Sequence, residues 1–164
     1  MLNELHHIAV FVSDMEKTLH LFQNCLGFEL AWRLSHAGGP KLSAVIGLPE
    51  MEAEIAYLHA RPKGTAVELV RLIHPSPGKM RARFGVPGTV ILSLVVEDLD
   101  GLKARLKEEG WVPLTVPVEM RTPEGEPIRV CCLRIEEGLT LELFEKKPEK
   151  EPAEQSYPKS ENSM

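Results

Sequence analysis

The strongest constraint on the fold is an internal repeat. The stretch HIAVFVSDM at residues 7–15 is matched by ILSLVVEDL at 91–99, and GTAVEL at 64–69 is matched by GLTLEL at 138–143. In both copies an apolar strand leads into an acidic residue that can begin a helix, and a Gly-x-x-x-Glu-Leu strand follows later. Such a repeat indicates two copies of one supersecondary unit, so we expect a fold built from two similar halves.

Hydrophobic periodicity predicts the same βαβββ order in each half. The predicted strands of the first half lie at about 5–12, 28–35, 53–60 and 66–73, and those of the second half at about 90–96, 112–118, 128–135 and 139–145. One helix starts near Met15 and stops at Gly27, and its counterpart starts after Asp98 and stops at Gly110. The predicted fold class is therefore α+β, with tandem βαβββ modules forming a curved mixed sheet around a cavity.

The repeat also divides the chain into segments. We place the first module at 1–75, a connection at 76–88, the second module at 89–146 and a polar tail at 147–164. Equivalent residues of the two copies are 84 positions apart in the first strand of the module and 74 positions apart in its last strand. The first copy therefore holds an insertion. We place it in the glycine- and proline-punctuated stretch 36–50, where it is expected to form a rim or lid.

The tail is expected to be dispensable for folding. Besides its prolines it offers only Ala153, Tyr157 and Met164 as apolar material, too little to offset the entropy of ordering it. Deleting the residues after Lys147 should leave the thermal midpoint nearly unchanged in calorimetry. A large drop would mean that the tail docks on the body or on a neighbouring chain.

Composition excludes several classes of partner. The net charge of −5 argues against nucleic-acid binding, which normally needs a basic face. No apolar run reaches the length of a membrane span, and the N-terminus lacks the pattern of a secretion signal, so we expect no membrane association and a cytoplasmic location. The three cysteines, Cys25, Cys131 and Cys132, have no metal or disulfide spacing and are expected to be reduced core residues.

Side-chain alternation places three polar residues, His7, Glu68 and Glu142, on the strand faces that point away from the helices. Two interpretations remain open. An antiparallel sheet with one wet face carries scattered polar residues there. Alternatively the face is concave and partly dry, and an imidazole with two carboxylates would suit a divalent first-row transition metal.

The sequence also predicts where two large side chains, Arg71 and Trp32, lie. Arg71 breaks the alternation of its strand, so it either reaches past the end of the sheet to pair with a surface glutamate or marks a bulge after Val70. Trp32 is expected to be a packing residue.

The tandem βαβββ modules, the opening HIAVFVSDM, the Leu-Gly-Phe at 26–28 and the Gly-x-x-x-Glu-Leu strand in both halves resemble the vicinal oxygen chelate superfamily. This group includes glyoxalase I, methylmalonyl-CoA epimerase, extradiol dioxygenases, and the fosfomycin and bleomycin resistance proteins. The resemblance covers about residues 4–145. It implies a metal site with His7 as first ligand, Glu68 as second and Glu142 as fourth, while the third position falls on Ile91, which has no donor atom.

The resemblance implies a metal-dependent lyase, isomerase or dioxygenase that acts on a small oxygenated substrate, similar to lactoylglutathione lyase or to a dioxygenase. A divalent metal would stabilise the developing oxyanion, and Glu68 or Glu142 would move the proton. The alternative is a metal-free binding protein of the resistance type, which Ile91 favours. We expect a small-molecule substrate and a homodimer. The sequence leaves open whether the cavity closes within one chain or across the dimer.

Overall fold

The structure is a computed structural model that describes residues 5–60, 65–78 and 86–147. Most of the predicted connection, residues 79–85, lies outside the described residues, as does the tail from residue 148 onward.

Each module has the predicted order of elements. The first contains β1 His7–Phe11, α1 Met15–His20 continuing into a π-helical turn Leu21–Cys25, β2 Glu29–Gly38, α2 Pro40–Ile46, β3 Glu52–His59 and β4 Ala66–His74. The second contains β5 Val90–Val96, α3 Leu99–Glu108, β6 Val118–Arg121, β7 Pro127–Glu136 and β8 Leu139–Lys146. The strands form two four-stranded mixed sheets in the orders β1-β4-β3-β2 and β5-β8-β7-β6. In both sheets the first strand runs parallel to the last, which confirms the α+β fold of tandem βαβββ modules.

Two elements differ from the sequence-based prediction. The strand predicted at 112–118 begins only at Val118, because Pro113 and Pro117 cannot donate to a strand ladder. The insertion contains the unpredicted helix α2, which has Pro40 in its first turn and ends at Gly47 with φ of 76°.

The helix-facing sides of both sheets share one hydrophobic core. Fully buried Phe22, Leu58 and Leu69 from the first module join Leu99 and Leu141 from the second in a single cluster. Each such side chain contributes about 1.5–3 kcal/mol to stability through burial, so this cluster accounts for much of the cohesion between modules. Within the described residues no helix is long and apolar enough to cross a membrane.

Polar contacts add to this interface between modules. The backbone N–H and the hydroxyl of Ser13, after β1, both donate to Glu136 Oε1 at 2.7 Å. The helices are linked by His20 Nε2 and Glu109 Oε2 at 2.9 Å. These contacts link the start of α1 to β7 and the end of α1 to the end of α3.

A buried ion network explains the position of Arg71. The β3–β4 ladder is uninterrupted from Val70 through Arg71 to Leu72 and shifts register only before His74, so no bulge turns Arg71 toward the other face. Arg71 Nε donates to Glu54 Oε2 at 2.9 Å, and Arg33 bridges Glu54 to Glu16 on α1. The expected ion pair therefore exists, but its partner is a glutamate that is only 5% exposed rather than one at the surface.

The second module contains a related ion network in which the charges of the strand pair are exchanged. Arg129 on β7 lies across the ladder from Glu145 on β8, as Glu54 lies across from Arg71 in the first module. Arg129 donates to Glu145 at 3.1 Å and to both oxygens of Asp100 on α3, at 2.9 and 3.0 Å. The hydrogen bond from Arg129 lowers the pKa of Asp100. The charges of the strand pair are thus exchanged between the modules, while the helix residue, Glu16 or Asp100, is acidic in both.

Candidate functional site

His7 and Glu68 form a contact pair on the open face of the first sheet, the face that points away from α1. In the parallel β1–β4 ladder His7 lies opposite Ala66 and Ala9 opposite Glu68, so the two polar side chains are diagonal neighbours. His7 Nε2 and Glu68 Oε2 are 3.5 Å apart, with the side chains 35% and 18% exposed. The pair is half-buried and accessible to a ligand.

Glu142 occupies the matching place in the second module. It lies opposite Ser93 on β5 and Cys132 on β7, and it accepts a hydrogen bond from the Ser93 hydroxyl. Burial raises the pKa of the Cys132 thiol, and the charge of Glu142 raises it further. Cys132 is therefore held as a neutral thiol rather than as a nucleophilic thiolate.

The third position of the pattern, Ile91, lies on this second open face and is 46% exposed. Ile91 stands opposite Thr140 in the ladder, so it has the same diagonal relation to Glu142 that His7 has to Glu68. One module thus carries an imidazole–carboxylate pair where the other carries an aliphatic–carboxylate pair.

Aromatic side chains that the sequence did not place at the site lie beside the His7–Glu68 pair. Tyr57 on β3 lies opposite Glu68, is 8% exposed and meets the His7 ring edge-on at 5.6 Å. Its hydroxyl is 3.3 Å from His6 Nδ1, and the His6 and His7 Nδ1 atoms are 2.8 Å apart. Tyr57 also stacks on Trp32, which therefore lies on the open face and not in the core as expected. The available signal for Tyr57 was the two-residue alternation of β3, which places it on the same face as Ile55.

The insertion forms one wall of this face. Its residues Leu42 and Leu48 pack against a small second core made of Met51, Ala53, Ile55 and Val70. These residues lie farther along the strands than His7 and Glu68, so α2 covers one end of the open face and leaves the polar pair uncovered.

The model of the Glyoxalase/Bleomycin resistance protein/Dioxygenase superfamily matches residues 4–128, and this match spans most of the chain. The chain belongs to this superfamily. No curated protein sequence matches the chain significantly.

Solved structures of other superfamily members are similar over nearly the whole chain. A glyoxalase family protein from Bacillus cereus is 23% identical with a TM-score of 0.78, covering 90% of this chain and 97% of that one. The trypanothione-dependent glyoxalase I of Leishmania major is 13% identical with a TM-score of 0.56, covering 88% and 87%. A fosfomycin resistance protein from Listeria monocytogenes is 17% identical with a TM-score of 0.57, covering 90% and 96%. These likenesses show the shared glyoxalase fold.

A divalent metal, which the superfamily implies, can be tested against the donors of this chain. The donor chemistry is suitable, since one imidazole and two carboxylates are ligands for divalent first-row metals. The geometry within one chain is not sufficient. Over residues 5–60, 65–78 and 86–147, no three His, Cys, Asp or Glu side chains lie together as a metal site. The structure brings His7 and Glu68 together and places Glu142 on the other module.

Both open faces of this glyoxalase-fold protein expose large apolar side chains. On the first module these include Phe11, which is 52% exposed, and Leu34, which is 49% exposed. On the second, Val95 is 69% exposed and Met120 is 52% exposed. The other module of the same chain therefore does not cover either face. Apolar surface of this extent, around polar groups, is typical of a binding or assembly surface.

A cavity of about 840 Å³ lies elsewhere, between the modules along the free edge of β5. Ile8 and Phe28 line it from the first module, and Ile91 and Ser93 from the second. None of His7, Glu68 and Glu142 lines it, although Ile91 and Ser93 also lie on the second open face beside Glu142.

Proposed function

We propose that this protein binds a small oxygenated molecule between two copies of the chain and acts on it as a metal-dependent lyase, isomerase or dioxygenase. The observation that carries the proposal is the contact between His7 and Glu68 on the accessible open face of the first module. These two residues stand on the first and last strands of their sheet, where the resemblance to the superfamily implies ligands.

The proposed dimer follows from the distribution of the functional groups over the open faces of the two modules. One open face carries His7 and Glu68, the other carries Glu142, and both faces expose apolar side chains. In a twofold dimer the first face of one copy packs on the second face of the other, and this pairing occurs twice. It would bury both apolar surfaces and create two equivalent enclosed sites, each with three donor residues.

In such a site His7 and Glu68 of one copy and Glu142 of the partner subunit would hold the metal. When bound, the ion supplies Lewis-acid stabilisation of negative charge on a substrate oxygen. Glu68 would accept a substrate proton at the carboxylate oxygen that does not hold the metal. Tyr57 and Trp32 would exclude water from the reacting centre, which strengthens the electrostatic contacts there.

Replacing Ile91 by histidine should tighten metal binding, because Ile91 has the same relation to Glu142 that His7 has to Glu68. The metal-free protein is titrated with manganese or zinc ions, and calorimetry measures the affinity. Ile91→Val is the matched control, since it changes the same side chain without adding a donor. Equal affinities in the two variants would contradict the proposed geometry.

The second candidate function is metal-free binding of a small molecule, as in a resistance-type binding protein of the same fold. Ile91 is the observation that favours it, because an exposed aliphatic side chain replaces a donor. Ligand binding that is unaffected by a chelator, without turnover, would support this function. Loss of turnover on chelation and its recovery with a divalent ion would support the first.

A further inference from the structure

Trp32 reaches the open face through a local irregularity in β2. Leu30 lies opposite Leu58, but Trp32 lies opposite Tyr57, so one extra residue, Ala31, is inserted between the two pairs. Without this β-bulge, Trp32 would lie on the same side as Leu30 and face the helices. Bulges that re-aim a side chain are found next to functional sites.

The indole is held parallel to a second ring. Trp32 and Tyr57 stack with centroids 5.0 Å apart and an angle of 11° between their planes. Tyr57 is buried, whereas Trp32 remains 42% exposed. One face of the indole is therefore covered by Tyr57, and the indole keeps surface that a further ring can contact.

This aromatic surface adjoins the polar pair. Tyr57 contacts the His7 ring on one side and Trp32 on the other, so the three rings form a continuous row across the sheet. Leu34 follows Trp32 on the same face of β2 and is 49% exposed. The row thus offers hydrogen-bonding groups at one end and a flat apolar surface at the other.

We propose that Trp32, supported by Tyr57, is the specificity-determining residue of this site and selects ligands in which an aromatic ring is attached to the oxygenated group. The ring stacks on the indole while the oxygens reach His7 and Glu68. This assignment rests on the proposed function for the position of the oxygens, and on the bulge and the stack for the ring. Stacking of aromatic rings corresponds to a gain in affinity of about three- to tenfold.

The test compares two neutral diols that differ only in the ring, 1-phenyl-1,2-ethanediol and 1-cyclohexyl-1,2-ethanediol. Binding to the full-length protein is measured by saturation-transfer NMR and calorimetry. The unaltered protein should bind the phenyl compound about three- to tenfold more tightly. Trp32→Leu should bind both equally, and Trp32→Phe should keep a preference for the phenyl compound. Circular dichroism checks that each variant is folded.

A second measurement keeps Trp32 intact. The other tryptophan of the chain, Trp111, is only 7% exposed and lies beneath Lys17, so Trp111→Phe leaves Trp32 as the single reporter. The phenyl diol should protect Trp32 fluorescence from acrylamide quenching, and the cyclohexyl diol should protect it less.

The outcomes separate the two proposals. Equal affinity for both diols, no binding of either at millimolar concentration, or a phenyl preference that survives in Trp32→Leu would overturn the role of Trp32. An affinity for the phenyl diol that is unchanged in His7→Ala would leave that role intact and contradict the proposed function instead.

Discussion

Mixing His7→Ala subunits with Glu142→Ala subunits should restore metal binding and activity that neither variant shows alone. In the proposed dimer each site combines the first module of one copy with the second module of the other. A mixed dimer then has one site with both substitutions and one site with none. Random mixing of equal amounts should restore about a quarter of the sites, because half of the dimers are mixed and each has one intact site.

The matched control pairs His7→Ala with Glu68→Ala, since both residues lie on the first module. Every site in that mixture carries one substitution, so no activity should return. The subunits are exchanged by dilution and reassociation, and native mass spectrometry counts the mixed dimers. If mixed dimers form but His7→Ala with Glu142→Ala recovers nothing, the site is not shared between subunits.

Removing the buried carboxylate of Glu54 should cause the largest loss of stability among the ion pairs described above. Glu54 is 5% exposed and receives hydrogen bonds from both Arg33 and Arg71, so Glu54→Ala removes the anion of Arg71 and leaves Arg33 with only the exposed Glu16. Breaking a buried pair on one side costs about 3–5 kcal/mol, and the partial exposure of both arginines favours the low end of that range. Urea denaturation measures the free energy of unfolding.

Glu16→Ala is the matched control for that experiment, because it removes a glutamate that contacts the same Arg33 but whose side chain is 74% exposed. An exposed pair contributes at most about 1 kcal/mol, so this variant should remain close to the unaltered protein. Similar losses in the two variants would show that burial of Glu54 does not govern the network.

The same carboxylate predicts how stability depends on pH. Burial alone would raise the pKa of Glu54, but hydrogen bonds from Arg33 and Arg71 outweigh it and lower the pKa below its ordinary value. A lowered pKa in the folded state stabilises the protein above the pKa of the unfolded chain, and this stability is lost as the pH falls through the folded value. Unfolding free energies measured across the acidic range should fall less steeply in Glu54→Gln. Equal slopes would contradict the linkage.

Much of the fold could be predicted because its signals are local. The repeat, the helix start at Asp14, which accepts a hydrogen bond from the Lys17 N–H, and the two-residue alternation of the strands all lie within short stretches of chain. Alternation was also sufficient to propose His7, Glu68 and Glu142, because each belongs to a strand without a bulge at that point.

The features that only the tertiary structure decided depend on pairing between distant strands. The bulge that turns Trp32 toward the open face is visible only from the register of β2 against β3, since one extra residue reverses every side chain beyond it. The partner of Arg71 is Glu54, 17 residues away, and it is identified only when β3 and β4 are paired. The sequence by itself determined the two modules and the residue types available for chemistry. Tertiary structure decided which of them meet, because strand register and the packing of helical layers are set by the whole core and not by neighbours along the chain.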